Sequence, residues 1–136
     1  MNPSGSKGVG KSGDDWATPD WLMRMFHGFY DPCPLGGVET KARDDLSGTW
    51  GLMPHELGIY CNPPYSNPKP WVEKAIRTHE QHKRLVVMLL KHDSSTQWYR
   101  MLKEAGARFL MIEGRLTYKA ENSRPCAFPS VLAVLS

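Results

Sequence analysis

Ile59-Tyr60-Cys61-Asn62-Pro63-Pro64-Tyr65-Ser66 is a short apolar run that stops at an asparagine, two prolines and a tyrosine. The prolines fix φ and lack a backbone N–H, so the chain leaves the run stiff and extended, with the carbonyls around them open to an outside donor. Such a corner suits a primary amine. An amino group conjugated to an aromatic ring is a poor nucleophile, because its lone pair is delocalised into the ring. If the Asn62 side-chain oxygen and the Pro63 carbonyl each accept one of its N–H bonds, the nitrogen is held with that lone pair turned out of the ring plane. Tyr65 then offers a flat face to the ring, a contact of roughly 1–3 kcal/mol. Acceptors placed where positive charge develops do the stabilising, so no strongly basic side chain is required. Asn-Pro alone marks ordinary turns. The full tetrapeptide after an apolar run is the distinctive feature.

Downstream of this corner, Ser66 or Asn67 is placed to cap a helix over residues 68–82, with Trp71, Val72, Ala75 and Ile76 as its buried stripe. Leu85 to Leu90 is a continuous apolar run of the length of a strand covered on both faces. A helix from Ser94 or Ser95 through Glu104 follows, closed by Gly106. Arg108–Ile112, Arg115–Tyr118 and Ser130–Leu135 read as the last strands, the middle pieces forming a hairpin. Trp98, Tyr99 and the methionines are assigned to the core.

Upstream, Thr18 reads as an N-cap and Pro19 as a first helical residue, with Trp21, Leu22, Met25 and Phe26 on one face. Phe29-Tyr30 runs into Asp31-Pro32-Cys33-Pro34-Leu35-Gly36-Gly37, a strand that stops at an acid and a Pro/Gly turn. Open α/β sheets bind ligands at such carboxyl ends. The order of strands and helices predicts an α/β fold, mostly parallel, with an antiparallel C-terminal strand or hairpin. Residues 1–15 are Gly, Ser, Lys and Asp with almost nothing apolar and read as a disordered tail. Within them Gly5 to Ser12 fits the phosphate-loop pattern, but no buried strand precedes it and no helix follows, so nucleotide hydrolysis is set aside.

The 136 residues suffice for one domain, expected over residues 16–136, without a separate target-recognition domain. Hydrophobic content of 40% with 23% charged residues is that of a globular chain. No apolar run is long enough to span a bilayer and no signal-peptide core is seen at the N-terminus, so a cytoplasmic protein is expected. Cys33, Cys61 and Cys126 are odd in number and widely spaced, and the five histidines lack ligand spacing, so neither a disulfide framework nor a metal is expected. The net charge of +3 divides into −3 over residues 1–68, from 5 basic and 8 acidic residues, and +6 over residues 69–136. The second half suits either a phosphate-bearing partner or a plain solvated basic surface.

Trp16-x-Thr18-Pro19, Asp31, Asp44-x-Leu46 with Trp50, Asn62-Pro63-Pro64-Tyr65, Trp71-Val72-Glu73-Lys74-Ala75, Gly114-Arg115-Leu116 and Phe128-Pro129-Ser130 occur in an order that resembles the phage-type DNA N-6-adenine methyltransferases, compact relatives of the Dam enzymes. The resemblance implies an abbreviated Rossmann-like fold that binds S-adenosylmethionine across the carboxyl ends of its strands. It implies contact with the methionine end of that cofactor by Trp16, Thr18 and Pro19, and with its ammonium by Asp31. Pro32, Cys33 and Gly36 stand where the glycine loop of larger enzymes lies, and Asp44 faces the ribose or adenine. Asn62, Pro63, Pro64 and Tyr65 are the implied catalytic set, DNA the implied partner, and Lys91 and Arg115 the candidate phosphate contacts. Base specificity is expected to be loose or to come from a second copy or a partner subunit. The rival expectations are an amino-methyltransferase on RNA adenine, cytosine N4 or a protein glutamine, and a non-catalytic cofactor-binding subunit.

Overall fold

The computed structural model describes residues 18–33, 46, 50–52, 57–64, 66–112 and 129–136. The 1–15 tail, Trp16, Gly36, Asp44, Tyr65, Arg115 and the expected 115–118 strand lie outside the described residues. In chain order the elements are α1 (Asp20–Met25), a 3-10 turn (Trp50–Leu52), β1 (Ile59–Cys61), α2 (Lys69–His82), β2 (Val86–Lys91), α3 (Gln97–Glu104), β3 (Arg108–Met111) and β4 (Ser130–Leu135).

The described strands form one mixed sheet in the order β1-β2-β4-β3. β1 runs parallel to β2, with Ile59 opposite Val86 and Cys61 opposite Met88. β4 is antiparallel to both its neighbours. The antiparallel strand is therefore the last one, as expected, but it lies inside the sheet and not at its rim. Burial explains the placement: β4 is apolar and almost wholly buried, whereas three of the four β3 residues are exposed. An edge position suits β3, since an edge strand keeps one side in water. Beyond β1, Tyr30 makes a parallel bridge to Ile59, so the expected Phe29-Tyr30 strand contracts to one bridging residue.

β2 shows why this sheet is covered on both faces. Val86, Met88 and Leu90 pack with Trp71, Val72, Ala75 and Leu102, on the side of α2 and α3. Val87 and Leu89 point the other way, toward Leu22, Phe26 and Tyr60, under α1. Each such side chain removed from water contributes roughly 1.5–3 kcal/mol. Trp50, fully buried, carries the 3-10 turn into the first cluster, its ring centroid 6.0 Å from that of Trp71.

The helices begin one or two residues away from where their capping residues predict. α1 is capped by Pro19, whose carbonyl takes the N–H groups of Leu22 and Met23, while the Thr18 hydroxyl is engaged elsewhere. α2 starts after Pro68 without a side-chain cap, because Pro70 in its first turn has no N–H to satisfy. In α2 Ile76 packs only partly buried against the core, and Thr78 completes the buried face. α3 is capped by Thr96, whose Oγ1 accepts from Tyr99 N at 3.3 Å, because Ser95 is turned to Asp93. Trp98 packs against the core and Tyr99 stacks on Phe109 at 4.4 Å, whereas Met25 and Met111, also assigned to the core, are exposed.

Candidate active site

Two backbone hydrogen bonds build the site's floor. Tyr30 N donates to Gly58 O and Tyr60 N donates to Tyr30 O, both at 2.9 Å. They draw the chain at Tyr30 alongside β1 in parallel, so Asp31 and Asn62 both emerge at the carboxyl end of the sheet. Gly58 is required for this approach. Its φ is +138°, and a Cβ there would stand 2.7 Å from Leu85 O, a backbone atom that already accepts from Ile59 N.

Asp31 is partly buried, and its Oδ1 accepts from Cys33 N at 2.9 Å. Burial raises its pKa to about 6, against the opposing pull of that N–H. A carboxylate in this condition gains most from a cation placed beside it, since the cation offsets the loss of water. Cys61 is wholly buried, and burial, followed by the charges of Cys33 and Asp31, pushes its thiol well above the ordinary value. It therefore stays protonated and is no nucleophile.

Asn62 follows at once and is itself buried. Its Nδ2 donates to Thr18 Oγ1 at 3.2 Å. The same Thr18 oxygen lies 2.8 Å from Tyr60 Oη. Oδ1 of the Asn62 amide is buried and accepts no hydrogen bond from the described residues. Tyr60 is fully buried and stacked on Phe26, with centroids 4.6 Å apart and planes at 18°. A hydroxyl, a phenol and an amide from two distant stretches thus meet at the end of β1. Pro63 is buried and Pro64 partly so. The Pro64 carbonyl, expected to be open, accepts from Asn67 N at 3.4 Å and belongs to the turn that leads into α2.

Of the other sequence candidates, Pro19 and Pro32 are buried, as is Cys33. Lys91 is exposed at the carboxyl end of β2, opposite Ser130 on β4. Trp50 and Leu46, which carried part of the family pattern, belong to the hydrophobic core. Among the described residues no group of three His, Cys, Asp or Glu side chains could hold a metal ion. An open cavity of about 770 Å³ is lined by Asp20, Met23, Arg24, Phe26, His27, Gly28 and Phe29, and neither Asp31 nor Asn62 borders it. Tyr60 was missed in the sequence, where it passes as one more apolar residue of the strand. Its signal was a phenol in a buried run, because such a hydroxyl must find a partner.

The family model for DNA N-6-adenine-methyltransferase (Dam) matches residues 5–128, and the chain belongs to that family. It is similar to the DNA N-6-adenine-methyltransferase of Haemophilus phage HP1 (strain HP1c1), with 36% identity over 97 residues, 65% of this chain and 56% of the phage protein. It is also similar to the protein of the same name from Escherichia phage T1, with 30% identity over 115 residues, 76% of this chain and 47% of that one. The chain spans about half the length of these relatives. No solved structure matches it. Among the described residues no helix is long and apolar enough to cross a membrane.

Proposed function

We propose that the protein transfers a methyl group from S-adenosylmethionine to N6 of adenine in DNA. The observation that carries this reading is the Asn62 amide, buried at the end of β1 directly before Pro63 and held through Nδ2 by Thr18. With its nitrogen end committed to Thr18, the amide turns its oxygen end the other way, as an acceptor for an exocyclic amine. Family membership supports adenine N6 as that amine.

The strand-end residues fit the cofactor. Asp31, a half-dehydrated carboxylate with a pKa near 6, suits an ammonium group. Trp16, Pro19, Pro32, Cys33, Gly36 and Asp44 complete its binding in this reading, on a Rossmann-like sheet abbreviated to the strands around β1 and β2. Bound S-adenosylmethionine supplies an electrophilic methyl group on a sulfonium. Asn62 Oδ1 and the Pro63 carbonyl would accept the two N–H bonds of the amine and stabilise the positive charge that grows on nitrogen as its bond to the methyl carbon forms and the methyl–sulfur bond breaks, its electron pair leaving with S-adenosylhomocysteine. The nitrogen then releases one proton to water. Tyr65 stacks on the base, which must be flipped out of a duplex or offered single-stranded.

Residues 16–136 form the methyltransferase unit in this reading. It acts in the cytoplasm, with DNA as substrate and a second copy or partner subunit completing recognition. The test is transfer of a tritiated methyl group to DNA, RNA and protein, by the parent chain and by Asn62→Ala. Label on DNA adenine from the parent and not from the variant is expected. Transfer to DNA that survives Asn62→Ala would overturn the mechanism.

A further inference from the structure

We infer that Thr18 and Tyr60 are positioning residues for Asn62: their two hydroxyls decide which end of the Asn62 amide faces the substrate. This deepens the methyl-transfer reading above and rests on it.

An amide side chain is nearly symmetric in shape, so packing alone does not choose its oxygen from its nitrogen; hydrogen bonds do. Here the choice matters. An adenine amine brings two N–H bonds and needs an acceptor, whereas a reversed amide would oppose it with N–H against N–H. Thr18 Oγ1, 3.2 Å from Asn62 Nδ2, accepts from the amide. Tyr60 Oη, 2.8 Å from the same oxygen, either donates to Thr18 or accepts its proton. The amide is fixed when Thr18 donates to Tyr60, because the Thr18 proton is then spent and only the nitrogen end of Asn62 can meet its oxygen.

The anchor of this chain is rigid. Tyr60 is fully buried in β1 and stacked on Phe26, which follows α1, so its ring is held in place by packing. Thr18 is buried as well and enters from 44 residues away in sequence. Because Thr18 gives no side-chain cap to α1, its hydroxyl has no local structural duty. A positioning role for Thr18 differs from the cofactor contact that the family pattern implies, and the two roles move different observables.

The experiment compares Thr18→Val, which keeps the shape and removes the hydroxyl, with Thr18→Ser, which keeps the hydroxyl, and Tyr60→Phe, which removes the phenolic oxygen alone. Each is assayed for kcat on unmethylated DNA, for KM, for affinity toward S-adenosylhomocysteine by calorimetry, and for thermal unfolding. Thr18→Val is expected to lower kcat about tenfold to a hundredfold, and Tyr60→Phe roughly threefold to tenfold, the scale of losing one buried hydrogen bond. Affinity for S-adenosylhomocysteine stays at the parental value, and Thr18→Ser recovers most of the rate. A loss that falls on S-adenosylhomocysteine affinity and spares kcat would overturn the inference. So would parental kcat in both Thr18→Val and Tyr60→Phe, or a Thr18→Ser protein as slow as Thr18→Val. Should Thr18→Val fail to fold, Tyr60→Phe carries the same decision. Absence of transfer by the parent chain would overturn the underlying reading too, and is thereby distinguished.

Discussion

Tyr30 lies parallel beside Ile59, hydrogen-bonded on both sides through Gly58 O and Tyr60 N. That one-residue bridge sets the acid of one stretch and the amide of another at the same end of the sheet. In the proposed reading the two groups are separable by mutation, Asp31 holding a cation and Asn62 an amine.

Asn62→Ala is expected to reduce methyl transfer by about 10²–10³-fold, the scale on which loss of one preorganised polar group at a reacting centre is felt. Binding of S-adenosylhomocysteine remains within a few-fold of the parent. Radiolabel transfer and calorimetry on the same preparations check both halves.

Asp31→Asn separates binding from stability in opposite directions. Folded Asp31 has a pKa of about 6, above its ordinary value of 3.8, so the favourable protonated form is present at low pH and lost as pH rises through 6. The variant is therefore expected to be as stable as the parent near pH 4 and more stable at pH 7, while binding S-adenosylhomocysteine far more weakly. In the parent, that binding weakens as pH falls below about 6, where the carboxylate takes up a proton. Urea unfolding and titration calorimetry from pH 4 to 8 measure these trends. Equal pH profiles for the two proteins would contradict the assignment.

Gly58→Ala is expected to destabilise the fold by about 1–3 kcal/mol from the positive φ alone, with further loss as Leu85 O is pushed aside. Chemical denaturation reads the stability. Asn62 leaves the same strand, so activity should fall with folded fraction and not before it.

Lys91→Ala is expected to weaken DNA binding at low salt and to reduce the slope of log affinity against log salt concentration by about 1. Cofactor affinity and fold stability stay unchanged, since the side chain is exposed at its strand end. Fluorescence anisotropy at four or five salt concentrations is sufficient.

Local chemistry was legible in the sequence and long-range pairing was not. The apolar run of residues 85–90 announced a strand covered on two faces, and β2 is that strand shifted by one residue. The stop after Cys61 and the acid after Tyr30 were visible as chain punctuation, because proline acts on its own neighbours. The interior place of β4 was hidden, as strand order depends on partners about twenty to fifty residues away. Thr18 illustrates the same limit. Its sequence context offered a helix cap, and only the fold brings Tyr60 and Asn62 within reach of its hydroxyl. The cap at Thr96 displaced the expected Ser94 or Ser95 because Asp93 takes the Ser95 hydroxyl.

The seat of β4 between β2 and β3 governs the order in which this sheet can come apart or assemble. β3 joins the sheet through β4, so its amides should exchange with deuterium by brief detachment of the rim, whereas those shared by β2 and β4 wait for global unfolding. Folding meets the mirror constraint: the central ladder joins segments some forty residues apart, and such distant closure is paid in time.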